Sequence, residues 1–231
     1  MCARKVDGKP IRHPGLGVSL IAPIQLHRAR GSRLNSLSQS EAAGSIYMAL
    51  KSTIFKAELS IADIDRGYYR DHVLTVARHP SETDERMMVR LLAFALHADN
   101  ALEFGRGLSS DDEPDLWRRD LTGAVERWID VGLPDEREVR KACGRANAVY
   151  VLAYGGRAVE LWWQGAREKL ERQDRLGVSE VPLEASRALA QLAARQMRLQ
   201  VTIQEGHVFV ADGATSIPVD IRILKAPATA P

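Results

Sequence analysis

The stretch from Asp111 to Ala146, DDEPDLWRRDLTGAVERWIDVGLPDEREVRKACGRA, constrains the fold more than any other part of this 231-residue chain. Two runs, Leu116 to Asp120 and Val125 to Val131, flank the turn Leu121-Thr122-Gly123-Ala124, and that spacing predicts a hairpin. Pro134 then opens a helix carrying Arg137, Arg140, Lys141 and Arg145. Asp115 enters the first strand behind Pro114, and Asp130 lies near the end of the second. Neighbouring strands can bring two such carboxylates to one point. Hard divalent cations favour that arrangement, with positions left for water and substrate. Acids at strand ends are also ordinary turn formers, and Asp135 and Glu136 suit the first turn of a helix. Asp130 is a more demanding case. Alternation puts Glu126, Trp128 and Asp130 on one strand face and Val125, Arg127, Ile129 and Val131 on the other. A carboxylate next to Ile129 and Val131 near a buried strand end needs a partner or a use.

Composition narrows the class. The chain is 45% hydrophobic and 27% charged, which is ordinary for a soluble globular protein. Cys2 and Cys143 are far apart, so neither a disulfide framework nor a cysteine-ligated zinc site is expected, and a reducing, cytoplasmic setting fits. No apolar run approaches the ~18 residues of a membrane span. The net charge of +2 conceals an asymmetry. Residues 1–47 hold seven basic residues against two acidic ones, a balance of +5, which leaves −3 for residues 48–231. A whole-surface attraction of the body to nucleic acid is thereby excluded, and any such contact has to be local.

Residues 1–47 show no sustained period and are expected to be a disordered or upstream-translated extension, with regular structure starting at Met48. Ser52 to Asp63 alternates as a strand, Asp65-Arg66-Gly67 turns, and Tyr68 to Arg78 returns as its partner. A capping-box pattern, Ser81-Glu82-Thr83-Asp84, begins a helix expected to run to about Asp99. That helix is apolar almost all round, with a polar stripe through Arg86, Arg90 and His97. Glu85 shares the face of Met88, Val89, Leu92 and Leu96, where a carboxylate is paired, used, or held by the helix dipole. A short strand is expected at Leu102 to Leu108, then an acidic loop from Ser109 to Pro114. Ala148 to Tyr154 reads as a buried strand, Ala158 to Glu171 as a helix and Leu183 to Leu192 as a weak one. Arg198 to Ile203, Val208 to Ala211 and Ile217 to Ile223 read as strands, and Lys225 to Pro231 as a frayed tail.

Several motifs together resemble the YaeQ family. They are His79-Pro80-Ser81-Glu82-Thr83 with Glu85-Arg86-Met87, Leu91-Leu92-Ala93-Phe94, Glu113-Pro114-Asp115-Leu116-Trp117, Trp128-Ile129-Asp130-Val131-Gly132, and Lys141-Ala142 with Gly144-Arg145-Ala146. The resemblance begins at Met48 and continues to near the C-terminus, so residues 48–231 are expected to form one domain. It implies an α/β fold, a mixed β-sheet flanked by helices, built on a variant of the PD-(D/E)XK nuclease-like core (αβββαβ) with extra strands. In that superfamily a helical Glu, an Asp after Pro and a strand acid bind Mg²⁺, and a Lys two residues later assists the attacking water. Carried over, the metal ligands are Glu85, Asp115 and Asp130, while the lysine position falls on Gly132. Lys141 is the nearest substitute. The resemblance thus implies Mg²⁺- or Mn²⁺-dependent phosphodiester hydrolysis on a nucleic acid, with Arg137, Arg140 and Arg145 positioned for the phosphate backbone. The alternative is a nuclease-like fold kept as a nucleic-acid or protein binding module without turnover.

Overall fold

The computed structural model describes residues 52–105 and 113–228. The extension expected over 1–47, most of the acidic loop at 109–114 and residues 229–231 lie outside the described residues. Among the described residues the chain forms two sheets rather than the single mixed sheet expected. The first strand, β1 (Thr53–Asp63), pairs antiparallel with β2 (Tyr68–Arg78) through a tight turn at Gly67. Its inward face, Phe55, Ala57, Leu59, Ile61 and Asp63, is buried, as its alternation requires. The other edge of β1 is covered by β8 (Gln196–Gln204), parallel to it and far away in sequence. With β9 (His207–Ala211) and β10 (Ser216–Val219) they make a five-stranded sheet in the order β10-β9-β8-β1-β2.

The second sheet has the order β11-β7-β6-β5-β4-β3. It contains β3 (Leu102–Phe104), β4 (Leu116–Arg119), β5 (Val125–Val131), β6 (Ala146–Tyr154), β7 (Leu176–Val181) and β11 (Arg222–Lys225). The expected β4–β5 hairpin is present and antiparallel, whereas β5, β6 and β7 run parallel. Strand β7 is absent from the sequence reading, and the expected strand at Ile217 to Ile223 is divided between the two sheets. Ile217, Pro218 and Val219 pair with β9, and after Asp220-Ile221 the chain crosses to pair Arg222 with Glu180.

Helix α1 (Asp84–Leu96) packs with α4 (Leu183–Gln191) in the core between the sheets, which is why α1 buries residues all round rather than along one stripe. Helices α2 (Glu136–Cys143) and α3 (Arg157–Leu170) cover the opposite face of the second sheet, over Trp128, Val149, Val151 and Val178. The helix expected from Ser81 starts at Asp84, with Thr83 as its N-cap accepting from the Arg86 N–H. Helix α2 stops at Cys143, short of the Arg145 it is expected to carry, because Ala146 already pairs with Val125 in the sheet. Between β3 and β4 the chain is pinched shut. The Gly105 N–H donates to the Asp115 carbonyl at 2.9 Å, and a Cβ on Gly105 would lie 2.0 Å from the Pro114 oxygen. No helix among the described residues is long and apolar enough to cross a membrane.

Candidate functional site

The polar stripe of α1 does not face solvent. Glu82, Arg86 and Arg90 recur at four-residue steps and line up at the helix's N-terminal end, against the start of β4. Arg90 is 1% exposed; its Nη1 lies 3.1 and 3.2 Å from the two oxygens of Glu82, and its Nε lies 3.3 Å from Asp115 Oδ1. Arg86 bridges the same two acids, donating to Glu82 Oε1 at 3.0 Å and to Asp115 Oδ2 at 2.9 Å. Two carboxylates and two guanidinia thus form a balanced quartet, the form in which buried charge is tolerated. The Pro80-to-Thr83 segment turns Glu82 inward, so it is a buried ion-pair partner and takes no part in the acidic capping box expected there.

Asp115 lies one step beyond the Leu116–Ile129 rung, opposite Asp130. Its Oδ2 accepts the Val131 main-chain N–H at 2.8 Å, so a side chain supplies the acceptor where the ladder ends. Asp130 accepts the Trp128 indole N–H at 2.8 Å and a hydrogen bond from the Asp115 main chain. Asp130 thus holds the Asp115 main chain, while Asp115 holds that of Val131, the residue after Asp130. Burial, helped by the charges of Asp115 and Glu138, pushes the Asp130 carboxyl up to about 7 against these hydrogen bonds. Asp115 Oδ1 is buried and faces two guanidinium groups, with Arg86 Nη2 at 2.9 Å and Arg90 Nε at 3.3 Å.

The remaining candidates divide. Glu85, in the first turn of α1, accepts the Ser186 hydroxyl from α4 at 2.6 Å. Tyr154, at the end of β6, has its phenol raised by burial, with the charges of Arg86, Glu85, Glu82 and Asp115 also acting on it. Among the described residues no three His, Cys, Asp or Glu side chains lie together as an ion would need, so Glu85 does not complete a triad with the aspartates.

Lys141 does not reach over the strand ends, as expected of a lysine substitute. Helix α2 buries Val139, Ala142 and Cys143, and the helical phase carries Lys141 to the opposite, exposed side. Arg137, Arg140 and Arg145 are exposed as well, with Arg140 3.5 Å from Glu136. Gly132 has φ +112°, a conformation side chains avoid, and its N–H donates to the Leu152 carbonyl at 3.0 Å. The sequence reading missed Glu82, Arg86 and Arg90 as site components, although the four-residue spacing of an acid and two arginines carries that signal.

Residues 48–221 match the model of the family described as YaeQ protein. The uncharacterized proteins YaeQ of Salmonella typhi and of Escherichia coli K12 are each 43% identical over 180 residues, spanning 78% of this chain and 99% of theirs. The crystal structure of the YaeQ protein from Xanthomonas axonopodis pv. citri superposes with a TM-score of 0.74 at 53% identity, covering 76% of this chain and 99% of the other. That of the Pseudomonas syringae YaeQ protein gives 0.74 at 38% identity, over 77% and 98%. The chain belongs to the YaeQ family.

Proposed function

We propose that the chain is a metal-dependent phosphodiesterase acting on a nucleic acid, with its centre at the Asp115–Asp130 pair. The observation that carries this reading is the pair itself: two buried carboxylates at adjoining strand ends, one held by Arg86 and Arg90 and the other pushed up to about 7 by burial. The succession α1-β3-β4-β5-α2-β6, with three antiparallel strands and a fourth parallel to the third, supports a PD-(D/E)XK-like core. Mg²⁺ or Mn²⁺, when bound, lowers the pKa of a water and neutralises charge on the phosphate. The chain supplies the rest. The Val131 N–H fixes Asp115 and the Trp128 indole fixes Asp130, so both carboxylates are held in place by β5. A reducing, cytoplasmic location suits Cys143, which is buried and unpaired.

A second reading, a binding module without turnover, draws on Gly132. Its φ of +112° disfavours a lysine at that position, so the water lacks its usual helper. On this reading the exposed Arg137, Arg140 and Arg145 hold a phosphate backbone. Incubation with single- and double-stranded DNA and RNA, in Mn²⁺, Mg²⁺ or EDTA, separates the two. Cleavage that disappears in EDTA and in Asp130→Ala is expected of the phosphodiesterase. Binding without cleavage, unaffected by EDTA, is expected of the module.

A further inference from the structure

We infer, independently of any reading of the aspartate pair, that β2 is a docking edge for a second copy of this chain, the two β2 strands pairing antiparallel about a twofold axis at Val73. The hydrogen-bond phase of the sheet fixes which main-chain groups are on offer. The Lys56 N–H donates to the Arg195 carbonyl at 2.9 Å and the Ile64 N–H to the Ile203 carbonyl at 2.8 Å, so even-numbered positions of β1 serve β8. Odd-numbered positions of β1 therefore serve β2. Through the register Phe55↔Val76 and Leu59↔His72 they use the even-numbered residues of β2. Tyr69, Asp71, Val73, Thr75 and Ala77 turn their N–H and C=O groups away from the sheet, and all five residues are exposed. Among the described residues the one added contact to these groups is Arg90 Nη1, 3.5 Å from the Ala77 carbonyl. The other sheet edges are short or broken: β10 has four residues with Pro218 among them, β3 has three, and β11 has four with a register shift. Strand β2 has eleven, without proline or bulge. An open edge of that length is a template for a further strand.

The strand's own sequence selects the partner. Strand β2 runs from Tyr68 to Arg78, so Val73 is its midpoint. A twofold there sets Val73 against Val73 of the second copy, Asp71 against Thr75 and Tyr69 against Ala77, so every outward-facing residue meets another. No like charges face each other. Centres at Asp71 or Leu74 fail on that count, opposing Asp71 to itself or Arg70 to Arg78. Centres at His72 or Thr75 leave Ala77 or Tyr69 beyond the end of the other strand. The apolar surface agrees with the main chain. Val73 is the most exposed apolar side chain of the strand, at 80%, and lies on the axis. Tyr69, 61% exposed, comes beside Ala77 of the second copy, and next in that row stands Ile54, 49% exposed and the cross-strand neighbour of Ala77. Three exposed apolar side chains on one sheet face thus gain neighbours in the register that pairs all five outward residues.

Sedimentation velocity on the full chain at roughly 100 μM is expected to show a dimer. Val73→Lys sets two ammonium groups against each other on the axis and is expected to weaken self-association about a hundredfold. Val73→Pro removes an outward N–H that β1 does not use, and is expected to do the same. Should the proline variant fail to fold by circular dichroism, Val73→Lys carries the test, because its side chain stands in solvent in the single chain. The register has its own readout. Val73→Cys, in a chain with Cys2→Ser, is expected to cross-link two copies under mild oxidation, since the paired Cα atoms would lie about 5.5 Å apart. Asp71→Cys in the same background is expected not to cross-link, its counterpart being about 14 Å away along the strand. A chain that stays monomeric at that concentration overturns the docking edge. A dimer that Val73→Lys leaves intact also overturns it, placing the interface elsewhere. A dimer in which Val73→Cys does not cross-link overturns the twofold at that residue.

Discussion

Trp128 donates its indole N–H to Asp130 Oδ2 at 2.8 Å, two residues further along the same strand face. The indole stands edge-on to Trp117, its cross-strand partner, with ring centroids 6.5 Å apart. An aromatic pair thus holds the carboxylate in a fixed direction. Loss of the donor removes a contact that favours the charged form, so in Trp128→Phe the Asp130 carboxyl should titrate higher still. Carboxyl ¹³C chemical shifts followed through a pH titration in EDTA provide the check; a downward move would contradict the assignment.

Asp130 also sets a pH dependence of stability. Its carboxyl titrates at about 7 in the folded chain against about 4 unfolded. Between those values the folded chain retains a proton that the unfolded chain has lost, so this group's contribution to stability falls as pH rises through the window and is flat on either side. Asp130→Asn removes the slope. In EDTA at pH 8 the variant should be more stable than the native chain, by something on the order of 2–4 kcal/mol at most. Urea unfolding at pH 5 and pH 8 measures it, and equal slopes for the two proteins would count against a buried, raised carboxyl.

The Glu82–Arg90 pair is sealed on both sides, each side chain 1% exposed. Arg90→Met leaves Glu82 with Arg86 alone and Asp115 short of one counter-charge. A loss of about 3–5 kcal/mol is expected, from the cost of an uncompensated buried charge. The double variant Arg90→Met with Glu82→Gln should recover part of it, and denaturant unfolding of all three chains gives the coupling.

Gly132 cannot be replaced by a lysine at no cost. No side chain stands within 4 Å of a Cβ built there, so the penalty is one of backbone conformation alone. Gly132→Lys and Gly132→Ala should be destabilised alike, by about 1–3 kcal/mol. A much larger loss in the lysine variant would show that crowding, not φ, excludes it.

Residues 1–47 precede the family match, which begins at residue 48. We expect a chain starting at Met48 to unfold at the same temperature as the full chain. Differential scanning calorimetry of the two decides it.

Local periodicity made the β1–β2 and β4–β5 hairpins, α1, α2 and β6 readable in the sequence, because each depends on residues within a few positions of one another. Pairings over long separations were not readable. Nothing in β1 announces β8 as its parallel neighbour, and nothing in Ile217 to Ile223 marks the point where the chain leaves one sheet for the other. The aspartates were legible as a pair for the hairpin's sake. Arg90 was not, because burial between two sheets turns a helix's polar stripe inward, and a helix read alone has no second sheet. Lys141 was misplaced for a related reason: charge was read without the phase set by Val139 and Ala142.

The pinch at Gly105 and Pro114 has a consequence for variation along the chain. Because the Gly105 N–H and the Asp115 carbonyl close the base of the segment between them, the position of Asp115 is decoupled from the length of that segment. Closure entropy grows only with the logarithm of length, so doubling the insert costs about 0.6 kcal/mol. The join between Gly105 and Asp115 is therefore a clamp that keeps the aspartate pair in register however many residues separate the two.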